Sequence, residues 1–182
     1  MALTSTLYTL DITLSHVDRH VYESLQLRVP MHPSESAEYF VARVLAYCIE
    51  YTEGIGFSRG ISDPDEPTLF VRDLTGTLTA WFEIGAPDAA RVHKAAKAAP
   101  RVAIYTHKDV AMVRRAFAGE RIHRAETIAV HAFDRDLIEA LAERLDRRLT
   151  LDVTVTDGTL WITVGGAVLT GTMTTWPLQD PA

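Results

Sequence analysis

Two periodicities divide the chain. Residues 3–15 and 22–29 alternate apolar and polar side chains, which predicts a β-hairpin around His16–Arg19. The stretch "HPSESAEYFVARVLAYCIEYTEG" changes period. Val41, Val44, Leu45, Cys48 and Ile49 form one helical stripe, Ser34 offers a cap, Glu35 suits the positive helix end and Gly54 marks a stop. A helix over 34–52 follows. Strand patterns return at 67–72 and 77–84. "APDAARVHKAAKAAP" predicts a helix capped by Asp88 and ended by Pro100, "RVAIYT" a buried strand, and 109–118 a helix closed by Gly119. The strand "ETIAVHAF", the helix 134–145 and three alternating segments complete the chain, with Asp157-Gly158 and Gly165-Gly166 as turns. The order ββ-α-β-β-α-β-α-β-α-βββ predicts one α/β domain: a mixed sheet flanked by helices, with antiparallel hairpins at both ends and 34–52 packed on a sheet that contains 67–72, 77–84 and 101–106.

The segment "ISDPDEPTLFVRDLTGTLTAWFEIGAPD" opens and closes on carboxylates. With Thr75-Gly76 as a two-residue turn, paired residue numbers sum to 151 and Glu83 falls opposite Thr68. Asp65 and Glu66 then lie at the same open end as Glu83. Acids so placed repel one another unless a cation lies between them, and hard cations such as Mg²⁺ take oxygen ligands of this kind. Acids also crowd loop ends because loops are solvated. Glu38 sits near the edge of the apolar stripe of its helix and looks inward, whereas Glu50 points away as a surface charge. A helix-borne Glu, an Asp before one strand and a Glu ending the next match the ligands of metal-dependent phosphodiester cleavage, in which the cation activates water.

The ordered motifs "HPSE" (32–35), "FSRG" (57–60), "DEP" (65–67), "WFEIG" (81–85), "PDAARVHKA" (87–95) and "YT" (105–106) resemble the YaeQ family over essentially the whole chain. The resemblance implies a divergent PD-(D/E)XK nuclease-like core, with activity unsettled. It implies Glu38, or alternatively Glu35, as the helical acid, Asp65 or Glu66 as the Asp, and Glu83 as the (D/E)XK acid, together with Mg²⁺ or Mn²⁺. The signature lysine belongs two residues past that acid, ~6.6 Å along the strand, and here that position is Gly85. Lys94, about 9 Å up the next helix, is the candidate replacement. Arg91 joins it as a substrate-binding candidate. Arg59 is a phosphate clamp or a partner of Glu66, and Trp81 shares the strand face of Glu83.

Charge keeps a second reading open. The 182 residues carry a net charge of −6, yet 88–124 hold nine Lys or Arg against three Asp or Glu, a local +6 that leaves −12 elsewhere. Such a window permits a phosphate-facing surface on an acidic protein. One reading is therefore a metal-dependent nuclease-like hydrolase; the other is a non-catalytic nucleic-acid- or protein-binding module. The histidines lack metal-ligand spacing, and Cys48 faces a helix core, which argues against zinc. A single cysteine, an alternating N-terminal segment without a basic leader, and the lack of any apolar run near the ~20 residues of a membrane span predict a cytoplasmic protein without membrane contact.

Overall fold

The computed structural model describes residues 4–58, 63 and 65–181. They form a mixed α/β fold in two compact units. The first comprises the chain up to Tyr51 together with Phe133–Met173; the second comprises Thr52–Ala132 and the chain from Thr174 onward.

In the first unit, β1 (Thr6–His16) and β2 (Val21–Met31) form the expected hairpin through a 3-10 turn at Val17–Arg19. β8 (Arg148–Thr156), β9 (Thr159–Val164) and β10 (Ala167–Pro177) follow as antiparallel neighbours. Both two-residue turns have positive φ throughout: Asp157 and Gly158 at 48° and 71°, Gly165 and Gly166 at 56° and 78°. That backbone matches the strand twist, so the turn residues alone predict the hairpins. β1 pairs β8 in parallel, Leu10 beside Leu149, giving the order β2-β1-β8-β9-β10. Leu10, Ile12, Leu14, Leu151, Val153 and Val155 face the core.

Helix α1 (Ala37–Glu50) belongs to this unit and touches α4 (Arg135–Ala142). Its cap is Ser36, whose hydroxyl accepts from Tyr39 N at 3.1 Å, rather than Ser34, which is engaged with His32. Every residue from Phe40 to Glu50 is buried, so α1 is covered on all sides and Glu50 is not a surface charge. An amphipathic stripe is the wrong template here, because "FVARVLAYCI" is apolar nearly all round. Its one internal charge, Arg43, lies 2.9 Å from the Glu35 carboxylate and donates to Pro30 O at 2.8 Å. Burial of Cys48 pushes its thiol up to about 12.

The second unit holds β3 (Ile55–Phe57), β4 (Leu69–Arg72), β5 (Leu78–Ile84), β6 (Arg101–Thr106) and β7 (Ala129–Phe133), in the order β7-β6-β5-β4-β3. β5, β6 and β7 run parallel; β3, β4 and β5 run antiparallel. β3 carries too short a pattern to be read from sequence. Gly54, with φ of 86°, leads into it, and a Cβ there would collide with the carbonyl oxygen of Arg72. Helices α2 (Ala89–Ala98) and α3 (Val110–Phe117) connect the parallel strands. Val92, Ala95, Val113 and Phe117 enter one core with Ile104, Ile128, Trp176 and Leu178.

Among the described residues, no helix is long and apolar enough to cross a membrane.

Candidate functional site

The β4–β5 hairpin positions the acids. Leu69 pairs with Phe82, Phe70 with Trp81 and Val71 with Ala80, all in the expected register. The turn differs from the expected two-residue form. Asp73 accepts from Thr75 N at 2.9 Å and Thr77 N at 3.0 Å, which draws residues 73–77 into a longer loop. A bulge between Val71 and Arg72 absorbs the offset, pairing Arg72 with Leu78. Register beyond the bulge is therefore unchanged. The Thr68 hydroxyl duly donates to Glu83 Oε2 at 3.2 Å.

Glu83 is 2 % exposed and lies beside Ile104 of β6. Trp81, on the same strand face, donates its indole N–H to Glu83 Oε1 at 2.5 Å. Arg91 Nε lies 2.8 Å from Glu83 Oε2. Both carboxylate oxygens are thus engaged, one by an indole and the other by a hydroxyl and a guanidinium. Charge-assisted contacts of this kind are about twice as strong as neutral ones, as a buried carboxylate requires.

Arg91 reaches Glu83 because of where α2 starts. Gly85, with φ of 83°, ends β5, and its N–H donates to Tyr105 O at 2.8 Å. Asp88 then caps α2 by accepting from Arg91 N at 2.7 Å. Arg91 consequently lies in the first turn, near the strand end, while Lys94 lies almost a turn further on. The same guanidinium donates to Glu66 O at 2.7 Å and Asp63 O at 3.3 Å. Lys94 forms an ion pair with Asp65, both side chains well exposed. The acids thus meet two cations of α2: Arg91 takes Glu83 and Lys94 takes Asp65. The sequence makes Lys94 the substitute for the missing motif lysine, reaching toward the acids as a group; it meets Asp65, while Glu83 goes to Arg91. The signal for Arg91 was its position three residues after a cap, closest to the strand end. Thr68 was legible as the residue opposite Glu83 but not as its donor.

Glu38 is half-buried in the first turn of α1 and belongs to the first unit, whereas Asp65, Glu66 and Glu83 belong to the second. The alternative helical acid, Glu35, is buried against Arg43; burial raises its pKa above the usual carboxylate value, with Arg43 opposing. Arg59 lies outside the described residues. Among the described residues no three His, Cys, Asp or Glu side chains group so as to hold a metal ion. As arranged, Glu83 does not fit a divalent cation unless Arg91 leaves, because the guanidinium already supplies the positive charge.

The basic window sorts in the same way. Arg124 donates to Ala96 O at 2.5 Å and Ala99 O at 2.9 Å, closing the C-terminal end of α2. Arg91, Lys94 and Arg124 are therefore committed within the unit. Lys97, Arg101, Lys108, Arg114, Arg115 and Arg121 are exposed. Two of the three acids, Asp88 and Asp109, cap α2 and α3.

Comparison with known proteins places this geometry among relatives. The family model described as "YaeQ protein" matches residues 1–173. The chain is similar to the "Uncharacterized protein YaeQ" of Salmonella typhi, 30% identical over 187 residues and covering 100% of both chains. It is 28% identical over 183 residues to the protein of the same description from Escherichia coli K12, again covering 100% of both. Among solved structures it resembles the YaeQ protein from Xanthomonas axonopodis pv. citri, with a TM-score of 0.86, 29% identity, and 98% and 100% of the two chains covered. That from Pseudomonas syringae gives 0.82 and 30%, covering 93% and 94%.

Proposed function

The chain belongs to the YaeQ family, and we propose that it is a non-catalytic nucleic-acid-binding protein on a nuclease-like scaffold. The observation that carries this reading is Arg91 seated 2.8 Å from Glu83, where catalysis would need a metal. A tethered guanidinium relieves carboxylate repulsion as a divalent cation would, but it presents no activated water. What the second unit then offers a partner is charge. Besides the paired Lys94, six exposed Lys or Arg in 88–124 outnumber the acids, two of which cap helices, and that charge attracts a polyanion.

Fluorescence anisotropy with a labelled DNA duplex tests the reading. If all six cations meet phosphates, affinity falls roughly a thousand-fold between about 50 and 200 mM salt as counterions are released. Reversing Lys97, Arg115 and Arg121 to Glu together weakens binding on every sequence tested. Absence of binding to duplex and single strand alike at the lower salt overturns the proposal.

The competing reading is a Mg²⁺- or Mn²⁺-dependent phosphodiesterase using Glu38, Asp65, Glu66 and Glu83, with Lys94 as the substituting lysine. The Arg91 guanidinium meeting the backbone carbonyls of Asp63 and Glu66 as well as the Glu83 carboxylate favours it to this extent: residues that carry the candidate acids do share a cation.

A further inference from the structure

A groove of about 280 Å³ opens in the second unit where the chain after β10 crosses the end of α3. Arg114, Phe117, Trp176, Leu178, Gln179 and Asp180 line it. Its floor is apolar: Phe117 and Leu178 are buried, and Trp176 is 9% exposed. The Arg114 guanidinium lies over the indole, 5.1 Å from the ring centroid. Gln179 donates to Phe117 O at 3.2 Å and Glu120 O at 2.7 Å, which fixes the far wall against the end of the helix. The groove is therefore a built feature of the fold.

Its electrostatics select the occupant. The exposed Asp180 and the negative end of α3 oppose the positive charge of Arg114. Neither a bare phosphate nor a cation suits such a mixed lining. A neutral planar group with donors and acceptors on its edge does. The volume lies just below the ~300 Å³ at which small-molecule pockets begin, the scale of one nucleotide rather than a folded partner. Outside the groove, Arg115 and Arg121 are exposed cations a short way along the chain.

We infer that the groove holds one unpaired nucleobase of a single-stranded nucleic acid, stacked on the outer face of Arg114, with the flanking phosphates on Arg115 and Arg121. Stacking on an arginine plane is a recurrent mode of single-strand recognition, and a guanidinium already held over Trp176 loses less freedom in providing it than an unrestrained one. The inference rests on the nucleic-acid reading above and adds to it a preference for unpaired bases.

An oligothymidylate about ten nucleotides long, within the usual site size, is compared by anisotropy with an abasic oligonucleotide of equal length and with a duplex. Wild type binds the oligothymidylate about ten-fold more tightly than the abasic strand, within the range expected for one stacked base. Arg114→Ala and Arg114→Lys both lose that difference, and the charge-keeping Lys variant retains its affinity for the abasic strand and the duplex. Circular dichroism confirms that both variants are folded. Equal wild-type affinity for the oligothymidylate and the abasic strand overturns the inference and leaves the charge-based reading intact. So does an Arg114→Lys variant that keeps the difference. Failure to bind any of the three probes overturns both.

Discussion

Glu83 and Arg91 form an ion pair across the junction between a strand and the helix that follows it, 2.8 Å from oxygen to Nε. The carboxylate is buried and the guanidinium largely so, with side-chain exposures of 3% and 20%. Removing one partner leaves the other charge buried. Arg91→Ala is expected to cost about 3 kcal/mol in urea unfolding, the low end for a broken buried pair because Arg91 retains some solvent. Adding Glu83→Gln should recover part of the loss, since the orphaned charge disappears with it.

The same pair decides the metal question. With Arg91 in place, millimolar Mn²⁺ should leave the wild-type melting temperature unchanged. A ligand that prefers the folded state raises that temperature, so a rise in wild type that Glu83→Gln abolishes would reinstate the phosphodiesterase reading.

Lys94 and Asp65 offer a contrast at the surface. Their side chains are 49% and 72% exposed, so solvent screens the pair. Lys94→Ala should change stability by less than ~1 kcal/mol, and a loss as large as that from Arg91→Ala would show that Lys94 has a second, buried role.

Protonation of His16 should appear in the pH dependence of folding. Burial, then the nearby Arg19, lowers its pKa from 6.5, with Asp18 and Glu50 opposing. The unfolded chain therefore takes up the proton first. The stability held above pH 6.5 is lost as pH falls toward the folded value. Glu35 acts oppositely: its folded pKa is raised above 4.5, so its contribution is present below that value and lost as pH rises through the folded one. Urea midpoints between about pH 7.5 and 6 follow the histidine above the ordinary carboxylate range, with Glu35→Gln as the control for the raised acid. His16→Leu should flatten that slope.

Glycine at two turns should respond differently to alanine. Gly54 and Gly76 both have φ near +85°, at 86° and 84°. A Cβ at Gly76 meets nothing within 4 Å, so Gly76→Ala carries only the backbone penalty of ~1 kcal/mol. At Gly54 the new methyl runs into the Arg72 carbonyl, and the loss should be clearly larger by thermal melts.

Local chemistry made much of this fold legible. The hairpins at Asp157-Gly158 and Gly165-Gly166, the cap at Asp88, the helix starts at Asp109 and Asp134, and the strand Arg101–Thr106 follow from a few adjacent residues. The register that sets Thr68 against Glu83 was legible even though the turn was not, because a bulge cancelled the error. The parallel pairing of β1 with β8 joins segments far apart in sequence, and no local pattern encodes it. Glu50 was misread because burial on every side of α1 depends on the tertiary surroundings. Arg91 and Lys94 both lie on α2 within reach of acids. The distinction between them required the actual path from Gly85 into the helix.

Trp176 and Leu178 share a core with Val92, Phe117 and Ile128, although they lie far later in the chain. During synthesis the helices and parallel strands of the second unit emerge with that apolar surface uncovered. The segment that seals it arrives only after the whole of 133–173 has been made. Closure must wait for this late contact, and the entropy of so long a loop is lost before the contact forms. Non-local closure of this kind is expected to make folding slower than the short, well-capped helices alone would suggest.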